Sequence, residues 1–98
     1  MINKQILQPE SIIVIGGSND VSKPGGKVIK NLLDGNYKGK ILVSNPKETV
    51  IQGIPCSQDL TVIENVDLAI IAIASKYVNQ TVEFLAREKG TKAFIVLS

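Results

Sequence analysis

Ser11-Ile12-Ile13-Val14-Ile15-Gly16-Gly17-Ser18 is the stretch on which the fold turns. Four consecutive β-branched apolar residues, with no polar alternation, read as a strand buried on both faces, as in a parallel sheet covered by helices. The glycines directly behind them end the strand in a flexible turn. Three further runs of this kind follow at 40–44, 67–74 and 92–97. Alanines at 69, 72 and 74 leave room for helices to approach. Between the runs lie stretches of helical period. In 27–34, Val28, Ile29, Leu32 and Leu33 share a stripe, and Gly35 supplies the stop. In 77–89, Val78, Thr81, Val82, Leu85 and Ala86 form the buried side and Gly90 ends the helix. Ser57 and Asp59 before Leu60, Val62 and Ile63 predict a short capped helix. Residues 51–56, broken by Gly53 and Pro55, read as an extended link, and 3–8 as a turn of helix that Pro9 stops. Strand, helix, strand, short helix, strand, helix, strand predicts right-handed crossovers and an α/β doubly wound parallel sheet of about four main strands in three layers.

Composition narrows the function. Ninety-eight residues, 44% hydrophobic and 20% charged, make one small domain. A net charge of +2 is too weak for a nucleic-acid footprint. The apolar run 68–74 is far shorter than the ~20 residues that cross a bilayer. Met1-Ile2-Asn3-Lys4 does not open a signal peptide. One cysteine points to a reducing, cytoplasmic setting. The absence of histidine removes a His general base, a His metal ligand and a phosphohistidine, and with one Cys no zinc site can form. No catalytic pair stands out among the dispersed Asp59, Glu64 and Asp67. Cys56, with no His or cationic cluster near it in sequence, reads as a small hydrophobe. Tyr37, Phe84 and Phe94 read as packing residues.

Ligands of such sheets sit beyond the carboxyl ends of the strands. Three loops qualify. The first runs from Gly16, Gly17, Ser18 and Asn19 to Pro24-Gly25-Gly26. Its glycines let the backbone approach a phosphate, the helix behind offers free N–H groups, and Ser18 and Asn19 add side-chain donors. Its spacing is neither G-x-G-x-x-G nor G-x-x-x-x-G-K-[ST], so the dinucleotide and P-loop signatures both fail. On this reading Gly16→Val blocks the phosphate path and leaves the domain folded. The second loop is Ser44-Asn45-Pro46-Lys47, with Asn45 and Lys47 where NAD-binding domains carry an acid for the ribose. An ammonium there attracts a phosphorylated ribose. At the third, Ala74 and Ser75, small residues leave space for a flat ligand, and Ser75 is the expected N-cap of the next helix.

Together, Pro9-Glu10-Ser11 through Gly16-Gly17-Ser18, Lys23-Pro24-Gly25-Gly26, Asn31-Leu32-Leu33, Gly39-Lys40-Ile41, Val43-Ser44-Asn45-Pro46-Lys47, Ile51-Gln52-Gly53 and the run 66–73 resemble one family. It is the N-terminal CoA-binding domain of NDP-forming acyl-CoA synthetases, the ADP-forming acetate–CoA ligases related to the α subunit of succinyl-CoA synthetase. The resemblance implies a Rossmann-like domain that holds the nucleotide end of coenzyme A. Gly16, Gly17, Ser18 and Asn19 would wrap the CoA phosphates, Lys47 beside Asn45 would reach one, and Ala74 and Ser75 would form the far wall. Two positions depart from the family's pattern: Gly17, commonly Ala, and Ala74, where members usually have Pro-Ala.

The resemblance further implies a parent enzyme that interconverts acid, CoA and NTP with acyl-CoA, NDP and phosphate. Its phosphohistidine would lie in another domain, so residues 1–98 would be a non-catalytic piece of a longer chain. Its partners would be CoA and the remaining domains or subunits, with no nucleic acid and no membrane. Three alternatives stand beside this reading: an NADP- or NAD-binding module of an oxidoreductase or redox sensor, a CoA-sensing module fused to another enzyme, and a ligand-free interaction domain.

Overall fold

The computed structural model describes residues 9–97. In chain order the elements are β1 (Ser11–Ile15), α1 (Pro24–Asp34), β2 (Lys40–Ser44), β3 (Val50–Ile51), β4 (Ile54–Ser57), a 3₁₀ turn (Leu60–Val62), β5 (Leu68–Ile71), α2 (Ser75–Glu88) and β6 (Ala93–Val96). The sheet order is β3-β4-β2-β1-β5-β6. All pairings are parallel except β3 with β4. The chain leaves β1 to one side for β2 and returns on the other side through β5. The strand order therefore reverses between β1 and β5, where such sheets open a crevice.

Alternate residues of β1 feed two separate cores. Ile12 and Val14 pack with Ile29 of α1, Val43, Ile51, Leu68 and Ile70. Ile13 and Ile15 pack with Leu85 of α2, Ile63, Val66, Ala69 and Ile71. With the two helices on opposite faces, the molecule has three layers, and the unbroken apolar run of β1 is explained by burial on both sides. Tyr37, Phe84 and Phe94 pack against these clusters, and the Tyr37 hydroxyl donates to the Pro9 carbonyl at 2.6 Å.

Several expectations change. Residues 51–56 are not a link: they supply most of a hairpin whose β4 extends the sheet by pairing Cys56 and Ser57 with Val43 and Ser44. Helix α1 starts at Pro24, which serves as first helical residue because the N–H it lacks would have no partner there. The left-handed residue after α1 is Asn36, at φ +56, while Gly35 has φ −81. The N–H of Asn36 bonds the Leu33 carbonyl and that of Tyr37 the Leu32 carbonyl, a Schellman stop with Asn in the glycine's place. Leu33 and Ala86 are exposed rather than buried, because each helix has a sheet on one side only and its stripe is narrower than the pattern suggested. The short helix after Asp59 is a single 3₁₀ turn, capped by the Asp59 carboxylate on the Thr61 N–H at 2.9 Å. The expected turn of helix at 3–8 lies outside the described residues.

Candidate functional site

The glycine loop leaves β1 at the carboxyl edge of the sheet and is tied down on both sides. The N–H groups of Gly16 and Gly17 donate to the Ser44 carbonyl at the end of β2, at 2.9 and 3.2 Å. Gly16 has φ +83, and a Cβ there would collide with the Ala72 carbonyl oxygen just past β5. A Cβ on Gly17 would collide with Val43 and stand 2.8 Å from Ile29 Cδ1. Gly25 and Gly26 bring the start of α1 against the backbone oxygens of Gly16 and Asp20. These four glycines serve close packing of loop, helix and strand ends. Pro24 carries no N–H and Lys27 N–H bonds the Lys23 carbonyl at 2.8 Å, so the N–H groups of Gly25 and Gly26 are the first-turn donors left at that helix end. No acidic residue lies in the first turn of α1, so no carboxylate within that turn offsets the positive potential there.

Ser18 and Asp20 shape the loop further. Ser18 Oγ accepts the Asp20 N–H at 2.9 Å, and the Asp20 carboxylate accepts the backbone N–H and hydroxyl of Ser22 at 3.0 and 2.6 Å. The Ser22 hydrogen bonds hold the Asp20 carboxyl below its ordinary value, with Lys23 adding to the effect. A carboxyl depressed by folding stabilises above its unfolded pKa, and that contribution is lost as pH falls through the lower folded value. Asp20→Asn should therefore flatten the acid limb of the stability profile below about pH 4. Urea midpoints of both proteins at pH 5 and pH 3 check this, and an unchanged difference between the two pH values would remove the assignment.

Asn45 and Asn19 have duties within the protein. Asn45 Nδ2 donates to the Gly17 carbonyl at 2.9 Å while its Oδ1 accepts the N–H groups of Lys47 and Glu48 at 2.7 and 3.1 Å. Asn19 Oδ1 accepts the Gln52 N–H at 2.7 Å. Gln52, to which the sequence reading gave no role, donates its side-chain amide to both the Ser18 and the Gly26 carbonyls at 2.9 Å. Only a pairing of residues 26 and more positions apart could have revealed it. Lys47 is exposed, and among the described residues Lys23, Lys27 and Lys47 have no ion-pair partner, whereas Lys30, Lys40 and Arg87 are paired. Cys56 is half-buried against the α1-side core, and burial pushes its thiol up, away from nucleophilic use.

On the other side of β1, Ala74 and Ser75 line a hollow of about 350 Å³ with Pro24, Ala72, Ile73 and Val78. Ser75 does not cap α2: the helix begins at Ser75 itself, and Ala74 holds the cap position without a side-chain bond. The hollow shares Pro24, Val96 and Leu97 with a second one of about 540 Å³ bordered by Ser22, Lys27 and Asn31. The structure thus joins Gly16, Gly17, Ser18, Asn19 and Asn45 into one bonded unit. Lys47 follows in the turn after β2, and Ala74 and Ser75 stand on the β5 side. With strands about 4.8 Å apart, the edge from β2 to β6 spans roughly 14 Å. Among the described residues no cluster of three or more metal-ligating side chains occurs, and no helix is long and apolar enough to cross a membrane.

A family model described as a CoA binding domain matches residues 10–98. The chain belongs to this CoA-binding domain family. As such a domain it is 38% identical over 96 residues to an ADP-forming acetate–CoA ligase I of Archaeoglobus fulgidus, covering 97% of this chain and 14% of that protein. It is 39% identical over 92 residues to the α subunit of the ADP-forming acetate–CoA ligase II of Pyrococcus furiosus, covering 92% of this chain and 20% of the subunit. Among solved structures, a dinucleotide-forming acetyl-coenzyme A synthetase 1 of Ca. Korarchaeum cryptofilum superposes with a TM-score of 0.87 at 29% identity, covering 97% of this chain and 20% of that one. The CoA-binding domain described here therefore spans only a small part of the relatives it matches, and its mixed sheet with helices on both faces is the fold it shares with the solved synthetase.

Proposed function

We propose that this domain binds coenzyme A by its nucleotide end along the carboxyl edge of the sheet, within an ADP-forming acyl-CoA synthetase that interconverts acid, CoA and NTP with acyl-CoA, NDP and phosphate. The observation that carries this reading is the order of features along that edge: the exposed cation Lys47 in the turn after β2, the glycine loop and start of α1 after β1, and an apolar hollow at the exit of β5. CoA has the same order, a phosphorylated ribose, a pyrophosphate and an uncharged arm whose first carbons carry two methyl groups. In this reading Lys47 faces the ribose phosphate as a point charge. Ser18, Asn19 and the start of α1 surround the pyrophosphate. Ala74 and Ser75 border the arm. Gly16, Gly17 and Asn45 hold that surface in shape.

With no histidine in the chain, a phosphohistidine step would have to be supplied from outside it. The domain's part is to bind the remote end of CoA so that the thiol reaches chemistry built elsewhere, using binding energy far from the reacting atom for orientation. The remaining synthetase is the natural partner, and a cytoplasmic setting suits both the lone thiol and the substrates.

Thermal unfolding with CoA, dephospho-CoA, NAD and NADP in parallel tests the proposal. A ligand at about 100 times its Kd adds about 2.7 kcal/mol, which for a domain of this size raises Tm by roughly 10–20 °C. CoA should give the largest shift, and a shift with NADP alone would overturn the assignment. Lys47→Ala should weaken CoA binding by about tenfold and dephospho-CoA binding by much less. Equal losses for the two ligands would detach Lys47 from the 3′-phosphate.

A further inference from the structure

The β3–β4 turn consists of Gln52 and Gly53, both left-handed, at φ +50 and +83, with Ile51 paired to Ile54 across it. This is a two-residue hairpin turn in which Asn, Asp or Gly is the usual first residue. A glutamine there accepts an unfavourable backbone for no gain to the turn itself. Its side chain shows a gain elsewhere. Both amide hydrogens are used, one on the Ser18 carbonyl and one on the Gly26 carbonyl, each at 2.9 Å. The Gln52 backbone N–H adds a third bond, to Asn19 Oδ1 at 2.7 Å, and Asn19 Nδ2 reaches the Val50 carbonyl at 3.4 Å. One residue thus spans the glycine loop from its first donor residue to the first turn of α1.

We propose that Gln52 is a positioning residue for CoA: it sets the separation between the Ser18–Asn19 segment and the start of α1, and so the width of the phosphate seat. The proposal rests on the CoA reading above. The Gly26 carbonyl is fixed within α1. The Gln52 amide uses it as an anchor and draws the Ser18 carbonyl of the loop toward it, which leaves the Ser18–Asn19 segment to offer N–H groups. Without that amide the Ser18 carbonyl would lose the donor that ties it to α1, and the loop would be free to turn that oxygen toward an anion.

Three variants separate this role from a merely structural one. Gln52→Asn is one methylene shorter and loses both carbonyl bonds, but it suits the left-handed turn better. Its Tm should therefore fall less than in Gln52→Leu, while CoA affinity falls about tenfold in both. Gln52→Leu should lose a similar factor at every pH. Gln52→Glu presents an acceptor-only carboxylate to two carbonyls. Its affinity, divided by that of the unmodified protein at each pH, should recover as pH is lowered from 8 to 5 and the acid regains a donor. Unaltered CoA affinity in Gln52→Asn and Gln52→Leu would overturn the proposal, as would a flat relative profile for Gln52→Glu. If the unmodified protein binds no CoA, the functional reading fails on its own. The positioning role is then judged by amide hydrogen exchange of the ligand-free protein. Residues 18–26 should exchange about tenfold faster in Gln52→Leu with β1 unchanged, and equal exchange would overturn it.

Discussion

Gly16→Val is expected to lower folding stability by about 4 kcal/mol, a large part of the ~5–15 kcal/mol that holds a small domain together. Two effects add. At φ +83 a β-branched residue is strained by about 1–3 kcal/mol. The new Cβ would also collide with the Ala72 carbonyl oxygen and stand 2.9 Å from Ile73 Cγ2, and overpacking of this kind costs about 1–3 kcal/mol. Because the colliding atom is backbone, relief requires β1 and the β5 exit to part. From sequence alone the same substitution reads as a steric block in a folded domain; the structure moves its main effect to the fold. Gly53→Val is the control, since Gly53 has the same φ of +83 but nothing within 4 Å of its Cβ. It should lose only the backbone term. Urea unfolding of both variants measures the difference, and equal losses would show that the contact with Ala72 carries no weight.

Asn45→Ala is expected to lose about 2 kcal/mol and to weaken CoA binding at least tenfold. The side chain joins the end of β2 to the glycine loop through the Gly17 carbonyl and closes its own turn through the N–H groups of Lys47 and Glu48. The two turn N–H groups can return to water cheaply, because Lys47 and Glu48 are exposed. The Gly17 carbonyl belongs to a buried residue, and an unsatisfied buried acceptor costs about 1–3 kcal/mol. Asn45→Asp keeps the acceptor and removes the donor, placing a carboxylate against that carbonyl, so its loss should match or exceed that of alanine. Calorimetric binding and urea unfolding read the two effects separately. Stability loss with unchanged CoA affinity would confine Asn45 to the fold and sever the link between the Asn45–Gly17 bond and the phosphate seat.

How far the sequence could be read depended on the range of the interactions involved. Helices α1 and α2 and the strands β1, β2, β5 and β6 follow from apolar period, because burial on one face or two leaves a local pattern. The hairpin left none: Gln52-Gly53 is not a usual turn pair, Pro55 argues against a strand, and β4 exists because β2 offers it an edge. Asn36, not Gly35, takes the left-handed position after α1, a choice between neighbours that helical period does not make. Within the site, the three loops were legible because parallel strands place their following loops at one edge.

Residue types and order along the chain were enough to determine a doubly wound α/β domain, the edge where a ligand can lie, the lack of any histidine chemistry and the resemblance to CoA-binding domains. Tertiary structure alone decided what individual atoms do there. Asn45 and Asn19 are bonded to the protein's own backbone, Gly16 and Gly17 give their N–H groups to Ser44, and Gln52 enters as a clamp on the loop. The physical reason is that burial periodicity is a property of neighbouring residues. A donor finds its acceptor only after distant segments have packed, and a backbone carbonyl looks the same in every sequence.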